Sequence, residues 1–209
     1  MDVQPSNGLD IYLDMTATAP DVILSSGATI DTDTTIIRDS DGTVITVPTA
    51  LLVAPPNGVD VRVFMVGSLT IEDVTVTGSA ALAIVANADI VLRGRLDVAA
   101  EEITDAPGAM QDDPGCKGET GVAEATTGQP GSGGGGFATA GGKGGDVINK
   151  SGAAGGGVSG TETLIPLRGG CRGGGAGNQT EGGAGGALQL VSRTSILIET
   201  DAWIDAGGA

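Results

Sequence analysis

With 38 glycines but 40% apolar side chains, the 209-residue chain is too apolar for a disordered low-complexity polymer and long enough to build a core. Ten basic against 26 acidic residues leave a net charge of −16, which excludes a basic, phosphate-tracking nucleic-acid surface. Histidine is absent, which removes histidine acid–base catalysis and the usual zinc and copper sites.

The start, MDVQPSNGLDIYLD, has no basic opening and no apolar signal core, and no apolar run is long enough to span a bilayer. If the protein is exported, its signal has been removed or lies upstream, and the chain reads as a fragment or processed domain of something longer. From about residue 20 the pattern becomes short and regular. DVIL, TIIR, TVITV, LLVA, VDVRVFMV, LTIEDVTV, ALAIV and DIVLRGRLDV follow one another, separated by Gly, Asp, Asn, Ser or Pro. β-Branched residues, two-residue alternation and intervening turn residues predict strands. No helical stripe interrupts residues 20–100, so a βαβ sheet is disfavoured. Only four aromatic residues occur, Tyr12, Phe64, Phe137 and Trp203, so the core must be built from Val, Ile, Leu and Ala, which suits flat stacked strands.

ALAIVANADIVLRGRLDVAA (81–100) has a near-double in ALQLVSRTSILIETDAWIDA (187–206), with identities at Ala187, Leu188, Val191, Ile196 and Ala206. Each copy reads as strand, polar corner, strand, strand. Internal repeats of this kind signal stacked units. The expected fold is all-β, a parallel β-helix (right-handed solenoid) whose inward aliphatics form ladders: Leu82 beside Leu188, Ile90 beside Ile196, Val98 beside Ile204. A β-sandwich or barrel is the alternative. The expected organisation is 1–100 as strands of the β-helix, 101–186 as a glycine-rich insertion, and 187–209 as a returning turn of the β-helix.

Residues 101–186 hold 29 of the glycines, in runs such as GSGGGGFATAGGKGGD (131–146) and RGGCRGGGAG (168–177). Collagen is excluded because glycine at every third place is not sustained and proline is sparse. Two readings stay open, a flexible linker and a compact bundle of polyproline-II strands whose glycine-bare backbones bond to one another. Cys116 and Cys171 nearly bracket the glycine-rich part. As a disulfide they would close a long loop, worth roughly 4 kcal/mol in chain entropy, and imply an oxidising compartment; the other reading is two free thiols.

The blocks GGGGFATAGGKGG, LIPLRGGCRGGGAG and EGGAGGALQLVSRTSILIETDAWIDAGG, in that order, resemble large glycine-rich, largely uncharacterised secreted proteins of myxobacteria and their relatives. The resemblance covers about residues 131–209 and implies an exported or surface-attached protein. It carries no catalytic residues to transfer.

Four groups of residues stand out as candidate sites. GGKGGDVIN (141–149) fits the glycine-rich calcium nonapeptide and offers Asp146, but that motif works in series and only one copy exists. Asp31 and Asp33, with Asp39 and Asp41, offer oxygen ligands for calcium or, as corner residues, cap turns. Arg93, Arg95 and Asp97 alternate on what should be the outer face of one strand, as in glycan-active β-helices or as plain solvated charge. Asn149 and Asn178 begin glycosylation triplets. No catalytic or cofactor-binding residue is assigned, and calcium is the sole metal considered. The expected role is a non-enzymatic extracellular or cell-surface structural and adhesion module that meets surface glycans or other surface proteins. A polysaccharide lyase or hydrolase is the first alternative and a phage-fibre-like recognition tip the second.

Overall fold

A computed structural model describes residues 5–53, 58–101, 104–111, 113–122, 128–175 and 181–209. The chain opens with a short helix, α1 (Asp10–Leu13), which tightens into a 3₁₀ turn over Asp14–Thr18. Five short strands follow: β1 (Val22–Leu24), β2 (Ala28–Asp31), β3 (Ile36–Arg38), β4 (Val44–Ile45) and β5 (Thr49–Leu52). Three sets of three strands come next. They are β6 (Val61–Val66), β7 (Leu69–Ile71) and β8 (Val74–Thr77); then β9 (Ala81–Ala86), β10 (Ile90–Leu92) and β11 (Arg95–Asp97); and, after the glycine segment, β12 (Leu188–Ser192), β13 (Ile196–Ile198) and β14 (Trp203–Asp205). Among the described residues no helix is long and apolar enough to cross a membrane.

The fold is all-β, with three sheets ordered β1-β7-β10-β13, β14-β11-β8-β2-β3-β4 and β12-β9-β6-β5. Each three-strand set gives one strand to each sheet, and the strands of successive sets pair in parallel. The sheets are mixed, because β2–β3, β3–β4 and β5–β6 are antiparallel.

The two look-alike segments lie directly against each other. Leu188 pairs with Leu82 and Ile196 with Ile90, as the repeat predicts. The third expected pair is corrected: Ile204 stands beside Leu96, not Val98. The cause is the corner. Arg93 and Gly94 separate β10 from β11, whereas Glu199–Ala202 separate β13 from β14. A slip of two residues preserves the alternation of faces, so the apolar side still turns inward.

Phe64, Ile84 and Leu190 form one inward ladder; Ile71, Leu92 and Ile198 form another. Ile84, Ile71 and Leu92 are buried to within 2% of full exclusion, each worth about 1.5–3 kcal/mol by transfer from water. Ile37, Ile45 and Val47, from and just after the antiparallel β3–β4 pair, pack on the same core and close it near β2. In the sheet of β6, β9 and β12, β9 is buried on both faces, β6 at every position but Arg62, and β12 only in part. The sheet's outer side chains, Val63, Met65, Val85 and Val191, meet Leu9, Tyr12 and Leu13 of the N-terminal helix region and Leu167 of the glycine segment. Alanines at 81 and 83 keep that face shallow enough for a helix to sit on it.

Between β11 and β12 the described residues form no helix or named strand, yet their backbone is densely bonded. Gly131 and Gly134 donate to Gly145 and Gly142, while Gly133 and Gly136 donate to Glu119 and Cys116. The carbonyls of Gly131 and Gly134 accept from Ala153 and Gly156, and that of Gly133 accepts from Gly174. One six-residue stretch is therefore bonded to four different neighbours. A Cβ on Gly133 would overlap the Ala154 carbonyl, and one on Gly156 the Cys116 carbonyl, so the close approach requires glycine. Cys116 and Cys171 form a disulfide with their Cα atoms 5.7 Å apart.

Candidate functional site

The glycine segment meets the sheets along a cleft formed by two cavities of about 580 and 500 Å³ that share Asp33, Ser79, Ala109 and Gln111. Asp33 follows β2, and Ser79 follows β8, the strand that pairs with β2. Register thus brings them together: the Ser79 amide and hydroxyl both donate to Asp33 Oδ1, at 2.9 and 2.7 Å. Arg62 enters from β6. In the register of that sheet it takes the ladder place held by Leu82 and Leu188 in the following sets, and its Nε donates to the Thr32 carbonyl at 2.9 Å. Asp60, Asp113 and Met110 complete the first cavity around the guanidinium.

The second cavity ends on Arg172. Its Nε donates to Asp105 Oδ1 at 2.7 Å and its Nη2 to Asp105 Oδ2, a bidentate pair, and Nη2 also reaches Gln111 Oε1 at 3.3 Å. Nη1 lies 3.6 Å from Glu181, which Lys117 also contacts. Lys117 and Arg172 each follow a cysteine of the disulfide, so the covalent staple places both cations on one acidic neighbour. Asp105 Oδ1 in turn accepts the Ala184 amide at 3.0 Å, tying the returning chain to the same point. This cluster holds the cleft wall in place through charge-assisted bonds.

The calcium candidates are engaged elsewhere. Asp31 Oδ1 accepts the amides of Asp33 and Thr34. Burial pushes the Asp31 pKa up, but these bonds and the Arg38 charge outweigh it, and the pKa lies below its ordinary value. Asp39 accepts the Ser25 and Ser40 amides, and Asp41 the Thr43 amide, which lowers the Asp41 pKa. Asp146 receives the Lys143 ammonium and the Gly152 amide, and the lysine contact is the main reason its pKa is lowered. Among the described residues no three His, Cys, Asp or Glu side chains converge to hold a metal ion.

The expected row of Arg93, Arg95 and Asp97 is corrected as well. Arg93 sits in the corner after β10, where it pairs with Glu199 at 3.2 Å. Arg95 and Asp97 lie on β11, and Arg95 Nη2 bridges Asp97 and Asp205 at 2.9 Å each. They act as charge clamps between adjacent sets. Asn149 has a left-handed backbone, φ 63°, in the two-residue turn closed by Val147 and Lys150. Asn178 lies outside the described residues.

Arg62, Ser79, Asp105, Gln111 and Arg172, which build the cleft, escape the sequence reading. One signal was present: a basic residue immediately after each cysteine. Chemically, the cleft offers carboxylates as acceptors, the guanidinium groups of Arg62 and Arg172 as donors, and the apolar surfaces of Leu51, Val59 and Met110. That set suits a neutral, hydroxyl-rich ligand. No family model, curated protein or solved structure matches the chain.

Proposed function

We propose that the chain is a non-enzymatic structural and adhesion module of an extracellular or cell surface, in which a right-handed parallel β-helix carries a glycine-rich side domain of polyproline-II strands and engages surface glycans. The β-helix reading rests on the three-strand sets, each giving one strand to each sheet and pairing in parallel with the next; parallel crossovers are almost always right-handed. The side-domain reading rests on amide bonds that recur at three-residue intervals, as at Gly131 and Gly134 and again at Gly133 and Gly136. A helix of three residues per turn presents its amides to neighbours with that period. The disulfide favours an oxidising compartment, and the likeness of residues 131–209 to secreted glycine-rich proteins points the same way.

The observation that carries the functional proposal is the bonding of residues 131–136 to four neighbouring stretches. A flexible spacer has no need of it, whereas a stiff projecting surface does. The test is binding of the full chain to a glycan array and to cell surfaces, in oxidised and reduced form. Saturable binding that weakens on reduction is expected. No saturable binding would remove the adhesive role, and binding indifferent to reduction would remove the stapled glycine segment from it. The cleft around Arg62 favours a second reading, a polysaccharide-active enzyme, which release of unsaturated or reducing sugar from a polysaccharide panel would establish.

A further inference from the structure

Arg168 stands apart from the other basic residues. Arg93, Arg95, Lys117, Lys143, Arg172 and Arg193 each meet a carboxylate at salt-bridge distance. Arg62 donates to a carbonyl, and Arg38 lies in the field of Asp31. Among the described residues Arg168 has no such partner, and its Nε is shielded from solvent without a hydrogen-bond acceptor there. Leaving a buried guanidinium nitrogen unsatisfied is unfavourable and calls for an explanation.

That nitrogen is closed to solvent, whereas the two Nη groups of the same guanidinium are not among the shielded atoms and are the ones a ligand can reach. Arg168 lines a cavity of about 560 Å³ between the glycine segment and strands β12 and β14. Phe137, Leu164, Leu188 and Ile204 give that cavity apolar walls, and glycine backbone forms much of the rest. Among the described lining residues none is acidic, although the chain carries 26 acidic residues. The volume is that of a small-molecule site. One cation at an apolar wall selects a ligand with one anionic end and one apolar end. A guanidinium matches a planar carboxylate by two parallel hydrogen bonds. The strongly negative chain also penalises a doubly charged phosphate more than a singly charged acid.

We propose that this cavity binds an amphiphilic carboxylate, its acid group paired with Arg168 and its aliphatic body lying on Phe137, Leu164, Leu188 and Ile204. The proposal is independent of the cleft around Arg62 and Arg172. It is tested by calorimetric titration of the oxidised full chain with octanoate, octanol and acetate. Octanoate is expected to bind saturably with one site, and octanol and acetate each at least tenfold more weakly. Arg168→Met should reduce octanoate to the level of octanol. Leu164→Glu, at a position 44% exposed and therefore tolerant of a polar side chain, places a competing carboxylate in the cavity and should abolish binding. In the unmutated protein the Arg168 Nε–H resonance should shift with octanoate and stay still with octanol, a readout that needs no variant to fold. Equal affinity for octanoate and octanol, no saturable binding, or an Arg168 resonance that ignores bound octanoate would each overturn the proposal.

Discussion

Gly133 and Gly142 look alike in the sequence and meet opposite surroundings. A Cβ at 133 runs into the Ala154 carbonyl, whereas one at 142 has nothing within 4 Å. Gly133→Ala should therefore destabilise the protein by about 3 kcal/mol or more, since backbone rather than a pliable side chain must give way. Gly142→Ala should be neutral or stabilise by about 0.4–1 kcal/mol, because it narrows the unfolded ensemble at no steric cost. Chemical denaturation of the two variants checks this, and equal effects would show that residues 131–145 are not close-packed. Asp105 makes a second residue-scale case. Its side chain is 9% exposed, and it accepts from both Arg172 and the Ala184 amide. Asp105→Asn should cost about 2–3 kcal/mol in the same assay, because a charge-assisted pair is broken and the guanidinium is left short of an acceptor.

At the scale of elements, corners and staples decide the behaviour. Asp89 sits at the corner before β10 and accepts the hydroxyls of Thr194 and Ser195 from the corner of the next set; these two bonds lower its pKa. The Arg95 amide and the Ser26 hydroxyl do the same for Asp73. A carboxyl with a lowered folded-state pKa contributes stability above its ordinary value of 3.8 and loses it as pH falls through the folded value. Asp89→Asn should thus make the protein less sensitive to acid below about pH 4, as read from denaturation midpoints against pH. Reduction of Cys116–Cys171 should speed amide exchange at Gly118, Gly133 and Gly156 while Leu82 and Ile84 stay protected, because the staple serves the glycine segment and the ladders are held by burial. Much of this level was legible in the sequence. ALAIV, IVL and RLD read as strands because their alternation and β-branching survive within each short run, and the cysteine positions read as a staple. Strand β2 was hidden, since ATID merges with the aspartates that follow and reads as a corner. Helix α1 was hidden too, being too short to show a period. The register of Ile204 was missed because apolar pattern fixes which face turns inward but not how long a corner runs. The cleft was illegible for another reason: Arg62, Ser79, Asp105 and Arg172 come from distant stretches joined only by register and the disulfide.

The whole molecule is closed at one end of its ladders and open at the other. Val22 and Leu24 of β1 are nearly excluded from solvent, as are Ile90 and Leu92 two strands further on. Ile196 and Ile198, next in the same ladders, are 44% and 49% exposed, and Leu197, Trp203 and Ile204 beside them are exposed as well. Among the described residues β12, β13 and β14 are each paired on one side only, so their backbone donors and acceptors border the same apolar surface. An exposed strand edge next to exposed aliphatics is a template for pairing with another chain. The net charge of −16 opposes that association at low salt and opposes it less once screened. Self-association of the chain should therefore rise with both protein concentration and salt, followed by sedimentation, with blue-shifted emission from Trp203, the single tryptophan. Ile198→Lys replaces a half-exposed ladder end with a charge at little cost to the buried core, and should keep the chain monomeric under conditions where the unmodified protein associates. If Ile198→Lys associates as readily as the parent, the contact lies elsewhere on the surface and the open ladder end is not the sticking face.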